Sequence, residues 1–396
     1  MDHRERILNA IAGRPTDRIP WSPRMDLWYQ ANQYNGTLPA QYRTATLDEI
    51  LADNDWAFHT VVPDFRDLRG PEDDADRALG IYNLAVMPFR TAIEGVPRTV
   101  RTEGDRTMAA YVTPSGTITT ATVFDESMRR AGITITHTAE YPFKSAADYA
   151  GLTYIFKNAR IVPNYEGFAA FDRRVGGRGA ACGFMNTAAS PMQFIQKELM
   201  PYDLFFLETA DHPAEMTELA AAIGTYWDQL IRVAAASPAR ILFCGGNFDA
   251  TVTYPPFFAE HMTPWIRKCA DALHAKGKYL LCHTDGENTG LLEEYLRAGF
   301  DIADSVCPAP MTKLTMADVR RAFDGRITIF GGIPSVALLK SSMPDREFDR
   351  FLDRFFGEIG RGDRLVLGIS DTTPPDADFG RLQAIAKRIE AFGPVQ

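Results

Sequence analysis

His283 and Asp285 stand two residues apart at the end of a short apolar run, Tyr279-Leu280-Leu281-Cys282, and Gly286, Glu287 and Asn288 follow. An extended strand points residues i and i+2 to the same side, so an imidazole and a carboxylate would face one cavity. Such a pair holds a metal ion or moves a proton. It also occurs as a buried histidine hydrogen-bonded to a helix-capping aspartate, and the spacing alone leaves these readings open. Cys307 follows 24 residues after His283, at the mouth of the next strand. Neighbouring strands lie about 5 Å apart, so its sulfur would reach the same cavity. His283, Asp285 and Cys307 would then form a ligand set suited to zinc. A buried cysteine acting as a small hydrophobe is the alternative.

Other polar residues close other apolar runs. Asn247 and Asp249 end the strand before, and Ser370-Asp371 end the last one. Asp371 is read as a catalytic group, a fourth ligand, a substrate contact or the cap of the helix that follows. Asn247 and Glu287 are candidate substrate contacts. Asp249 and Asp285 are the candidate proton donors if no metal takes part. Near the N-terminus, Arg24 lies just after Pro23 among Trp21, Trp28 and Tyr29. With Trp28 beside it, Arg24 would grip an anionic substrate; its other reading is an internal salt bridge with Asp26. On the substrate reading, Arg24→Met would leave thermal stability nearly unchanged.

The elements that must position these residues alternate. From Arg240 to Phe392 five strand–helix units follow one another, punctuated by glycine stops such as Gly277 and Gly299. Repeated units of this length imply a parallel sheet. No G-x-G-x-x-G follows a strand and no P-loop is present, which disfavours a nucleotide-binding open sheet. The expected fold is an α/β (β/α)8 TIM barrel, whose chemistry sits at the C-terminal strand ends. A helix is expected over residues 2–13, with Asp2 as N-cap and Gly13 as stop. Residues 92–124 are rich in Thr and Val with turn signals at Glu103-Gly104-Asp105 and Pro114-Ser115-Gly116. They read as an N-terminal antiparallel β-hairpin excursion within a single domain spanning 1–396.

With 396 residues, 45% of them hydrophobic, the chain can bury a large core. A net charge of −9 without a Lys/Arg block argues against nucleic acid as a partner. No stretch approaches the length of a membrane span. The five cysteines include no C-x-x-C, and MDHRERILNAIAG lacks the apolar core of an export signal. The expectation is a cytoplasmic protein with reduced thiols. The reading allows a homodimer.

Several segments together carry a resemblance. They are Pro15-Thr16-Asp17-Arg18-Ile19-Pro20 followed by Arg24, then Thr113-Pro114-Ser115-Gly116-Thr117, the Phe257–His283 helix–strand unit, Asp301, and Gly331-Gly332-Ile333-Pro334. In this order they resemble the uroporphyrinogen decarboxylase superfamily, which includes corrinoid-dependent (cobalamin) methyltransferases, over nearly the whole chain. The resemblance implies a (β/α)8 barrel. Decarboxylases of the superfamily carry an arginine-rich R-Q-A-G-R segment, where this chain has Arg24-Met25-Asp26-Leu27-Trp28. One cation is poorly matched to an octacarboxylate porphyrinogen. The methyltransferase branch places zinc on H-x-C with a further cysteine on the last strand. Here these positions read His283-Thr284-Asp285 and Gly368-Ile369-Ser370-Asp371, while Cys307 falls where the wider family uses a glutamate.

The resemblance therefore implies a methyltransferase moving a methyl group between a small, methylated or methoxylated compound and the cobalt of a corrinoid protein. Zinc would activate the substrate heteroatom. No D-x-H-x-x-G cobalamin motif is present, so cobalamin would come on a partner protein or free. The alternative is a uroporphyrinogen decarboxylase-like decarboxylase or lyase without metal. A third class is a binding protein that kept the fold and lost the catalysis.

Overall fold

The computed structural model describes residues 1–396 apart from the side chain of Pro71. Its antiparallel part comes first in the chain. β1 (Phe89–Ile93) pairs with β6 (Ala159–Pro163), and β2 (Arg98–Glu103), β3 (Arg106–Thr113), β4 (Gly116–Val123) and β5 (His137–Glu140) form a separate four-stranded sheet. The turns expected around Gly104 and Ser115 join β2 to β3 and β3 to β4. The hairpin reading of 92–124 is corrected at both ends. Pro97 separates β1 from β2, and β1 takes a distant partner instead of its neighbour. β5, which lies beyond residue 124, adds to the free side of β4.

The central sheet is parallel, with six strands in the order β12-β11-β10-β9-β8-β7. These are β7 (Cys182–Asn186), β8 (Ile241–Cys244), β9 (Tyr279–His283), β10 (Ile302–Val306), β11 (Thr328–Ile333) and β12 (Leu365–Ile369). Their residues are buried apart from Tyr279 at the start of β9. Such near-continuous apolar runs are what strands covered on both faces require. Helices Thr263–His274, Leu292–Ala298, Met316–Phe323, Asp345–Glu358 and Phe379–Phe392 alternate with them, as the sequence pattern indicates.

The two outer strands of this sheet are not left as bare edges. Leu367 of β12 donates its N–H to Pro20 (2.9 Å) and accepts from Ser22 (2.8 Å). Ala57 in turn donates to Trp21 (2.9 Å), and Phe58 donates to Arg178 (2.8 Å). The Thr60 hydroxyl donates to Ala180, on the approach to β7. Two short extended segments, 20–22 and 57–60, thus carry main-chain hydrogen bonding from β12 round to β7. Pairing of this kind removes the aggregation hazard of an open edge.

The N-terminal helix, His3–Ala12, starts at Asp2, whose carboxylate accepts from the Glu5 N–H (2.7 Å), and stops at Gly13 in the left-handed region (φ 67°). Ile11 O accepts from Thr328 Oγ1 (3.3 Å) and Arg364 Nη1 (2.8 Å), beside the N-terminal ends of β11 and β12. That helix covers the N-terminal strand ends, so the C-terminal ends are left to carry chemistry. Among the described residues no helix is long and apolar enough to cross a membrane.

Candidate functional site

The C-terminal ends of β9, β10 and β12 build the site. His283 closes β9, and Asp304 lies directly across from it in the parallel register of β10. His283 Nδ1 is 2.6 Å from Asp304 Oδ2, and both side chains are buried. A nitrogen facing a carboxylate this closely carries the proton. The ring's other nitrogen, Nε2, is 3.5 Å from Asp285 Oδ2 and 3.5 Å from Asp371 Oδ1. One ligand atom from each of His283, Asp285 and Asp371 lies within 4.8 Å of the others.

Local backbone sets these directions. Between Asp304 and Val306 the β10–β11 register slips, and Ser305 sits in the left-handed region (φ 58°). This is a β-bulge, a device that re-aims side chains at strand ends. Gly331 makes room for it. Gly331 has φ 117°, and a Cβ there would come within 3.0 Å of Val306 N and 3.1 Å of Ser305 Cα. Asp371 is also left-handed (φ 64°), turning its carboxylate back from the end of β12.

Each carboxylate has a keeper. Arg24 Nη1 donates to Asp371 Oδ1 (2.7 Å), and its Nε donates to Asp26 Oδ1 (3.2 Å). Burial alone would lower the Arg24 pKa, but Asp26, Asp371 and Asp304 outweigh it and raise it. Asn247 Nδ2 donates to Asp285 Oδ2 (3.0 Å), and Asn247 Oδ1 accepts from Lys197. The other Asp285 oxygen, Oδ1, is buried and has no hydrogen-bond partner. A buried carboxylate oxygen left bare is costly.

The electrostatics call for a cation. Burial pulls the His283 pKa down, but Asp285 and Asp304 outweigh it and push it up to about 10. Burial raises the Asp285 pKa, and His283 and Lys197 more than reverse that, so the group stays ionised. A proton on Nε2 or a divalent ion satisfies the same three carboxylates. The donor set of one imidazole and two carboxylates, with a bare oxygen on Asp285, fits such an ion, zinc included.

Several residues expected at the site have other work. Cys307 lies outside the set of converging ligand atoms. Its thiol hydrogen-bonds Ser370, and burial, with nearby Asp285 and Asp371 adding, pushes it up to about 11, so it keeps its proton at neutral pH. The expectation rested on the spacing of neighbouring strands alone, and the bulge at Ser305 lies between Asp304 and Cys307. Trp28 is 2% exposed and stacks on Phe379 with ring centroids 5.5 Å apart, so it packs the core and offers no substrate contact. Asp249 holds loops: Oδ1 accepts from Thr251 N (2.7 Å) and Oδ2 from Glu287 N (2.9 Å). Burial would raise its pKa, but these amides lower it, which is the wrong direction for a proton donor. Glu287 is likewise tied to the N–H groups of Thr289 and Lys313, each at 2.9 Å.

Three residues were not anticipated. Asp304 is one, a lone carboxylate inside an otherwise uncharged strand. Lys197 is the second, reaching Asn247 from a π-helical turn, Ile195–Leu199. His59 is the third, on the linking segment 57–60. Burial holds its pKa down to about 4, against Asp304 and with Arg24, so the ring is neutral. His59 borders a cavity of about 550 Å³ with Phe58, Asp67, Phe171 and Arg174.

Comparison with known proteins adds a fold. No family model matches the chain, and no curated protein matches its sequence. Among solved structures it is similar to a methyltransferase from Methanosarcina mazei, with a TM-score of 0.55 and 12% identity, over 99% of each chain. At that identity the likeness is one of fold alone. A D-psicose 3-epimerase structure aligns with a TM-score of 0.30 at 11% identity over 62% of this chain and 82% of the epimerase, and carries no argument.

Proposed function

We propose that the chain is a methyltransferase, transferring a methyl group between a heteroatom of a small substrate and the cobalt of cobalamin, carried by a corrinoid protein or free. We also read the parallel sheet with segments 20–22 and 57–60 as the eight staves of a closed barrel, its site at the C-terminal mouth. The observation that carries the proposal is the cluster of His283 Nε2, Asp285 and Asp371, with Asp285 Oδ1 buried and unpartnered. The full-length likeness in fold to a methyltransferase supports the same reading.

His283, Asp285 and Asp371 would hold zinc. Bound there, the ion would supply Lewis-acid polarisation of the substrate heteroatom. Asp304 keeps the proton on His283 Nδ1 and so leaves Nε2 as the ligand atom. Arg24 fixes Asp371 and carries part of its charge, while Asn247 orients Asp285. Cobalamin, as co-substrate, would take up or give up the methyl group as a cation equivalent: in one direction the heteroatom would keep the pair of the broken bond while cobalt(I) supplied the pair of the new one, and in the other the two roles would be exchanged.

The metal-free lyase alternative needs a proton donor matched to neutral pH. His283, pushed up to about 10, and Asp285 and Asp249, both held low, are poorly matched to that task. The test is anaerobic incubation of zinc-loaded protein with methylcobalamin and a panel of phenol and thiol acceptors. Methyl transfer above the protein-free rate is expected for at least one acceptor and is lost in His283→Ala. No transfer to any acceptor would overturn the proposal.

A further inference from the structure

The cavity of about 550 Å³ that His59 borders lies between the linking segment 57–60 and the helix Tyr165–Val175, and its size suits a small ligand. Phe58, Val62, Val86 and Phe171 give it apolar walls. Its polar lining divides into groups that are paired and groups that are not. The Thr60 hydroxyl donates to Ala180, and Arg66 grips Asp64 through Nε (3.0 Å) and Nη2 (2.8 Å). Among the described residues, nothing hydrogen-bonds the Asp67 carboxylate, the Arg174 guanidinium or the His59 ring. Arg174 lies over the Phe171 ring, its Cζ 5.4 Å from the centroid. Burial raises the Asp67 pKa and Arg174 is near enough to oppose that rise, yet the two form no ion pair. His59 stands 5.2 Å from the Phe330 ring and is kept neutral by burial. The charges of the lining therefore cancel, Asp64 against Arg66 and Asp67 against Arg174, but only the first two are joined.

We infer that this cavity binds a small zwitterion, an α-amino acid with an apolar side chain: its carboxylate on Arg174, its ammonium on Asp67, and its side chain against Phe58 and Phe171. The two charged groups of such a ligand sit on one carbon, which calls for opposite charges that are close together but not joined to each other. A ligand of a single sign would satisfy one of them and strip water from the other without giving it a partner, which is costly. A neutral His59 at the wall leaves that balance undisturbed. The site shares no residue with the His283, Asp285 and Asp371 cluster, so it goes beyond the methyltransferase reading and does not depend on it.

The test is calorimetric titration of the full chain with L-phenylalanine, phenylacetate and phenethylamine, the last two each lacking one of the charges. L-Phenylalanine is expected to bind about tenfold tighter or more than either, the difference a charge-assisted hydrogen bond makes. Asp67→Asn should remove its advantage over phenylacetate, and Arg174→Met its advantage over phenethylamine. Arg174 is exposed, so Arg174→Met tests the carboxylate contact even where Asp67→Asn fails to fold. Val62→Trp, which narrows the cavity, should weaken L-phenylalanine in a chain whose melting shows it folded. No binding of L-phenylalanine, equal binding of the three compounds, an advantage untouched in either charge variant, or binding untouched by Val62→Trp overturns the inference.

Discussion

Asp304 Oδ2 and His283 Nδ1 are 2.6 Å apart on adjacent strands in matching register. The carboxylate fixes which nitrogen of the ring is free. Asp304→Asn keeps the shape and can offer an N–H to Nδ1, turning the ring to the tautomer with its proton on Nε2. Zinc affinity, measured by chelator competition, should fall about 10–100-fold, with the circular dichroism spectrum unchanged. Unaltered affinity would remove Asp304 from the site.

Arg24 is structural as well as local to the site. Its side chain is 14% exposed and pairs with Asp371 and Asp26, themselves 45% and 37% exposed. These pairs favour the internal salt-bridge reading and so predict that Arg24→Met lowers stability. Removing one partner of a pair this deep should cost about 1–3 kcal/mol, between the exposed and fully buried cases. Urea denaturation checks the value. Zinc affinity should fall as well, because Asp371 loses its anchor.

Asp74 supplies a pH test away from the ligand cluster. Burial pushes its carboxyl up to about 6, against the lowering effects of Arg77 and Thr136. The folded state then binds more protons than the unfolded state between about pH 4 and 6. Stability from this group is present at low pH and lost as pH rises through about 6. Asp74→Asn should accordingly stabilise the protein at pH 8, by about 1–2 kcal/mol after allowing for residual solvent. The gain should vanish near pH 4. A gain that is equal at both pH values would show that ionisation is not its source.

The parallel strands were legible because each is a short, mostly apolar run followed by a helix, with glycine stops such as Gly277 and Gly299 before β9 and β10, a pattern the sheet's burial imposes directly. His283 and Asp285 were legible for the same reason, as polar residues at the end of such a run. The segments 20–22 and 57–60 were not. They are too short for a period to show, and their hydrogen bonds go to residues far along the chain. Asp304 lies inside β10, and only inter-strand register, which the sequence does not carry, sets it opposite His283. Cys307 was expected in the cluster from strand spacing alone; that spacing does not show the bulge at Ser305, and the glycine that permits the bulge, Gly331, is on another strand. Trp28 was misread because its partner, Phe379, is in the last helix.

The most direct test is the zinc content of the purified chain, equilibrated with zinc and stripped of free metal, by elemental mass spectrometry. Wild type should hold about one ion per chain, as a single site requires. His283→Ala and Asp285→Ala should hold almost none, while Cys307→Ala should keep most of it, because that thiol lies outside the converging ligand atoms. A wild-type chain that binds no zinc, or a His283→Ala chain that binds as much as wild type, would contradict the account.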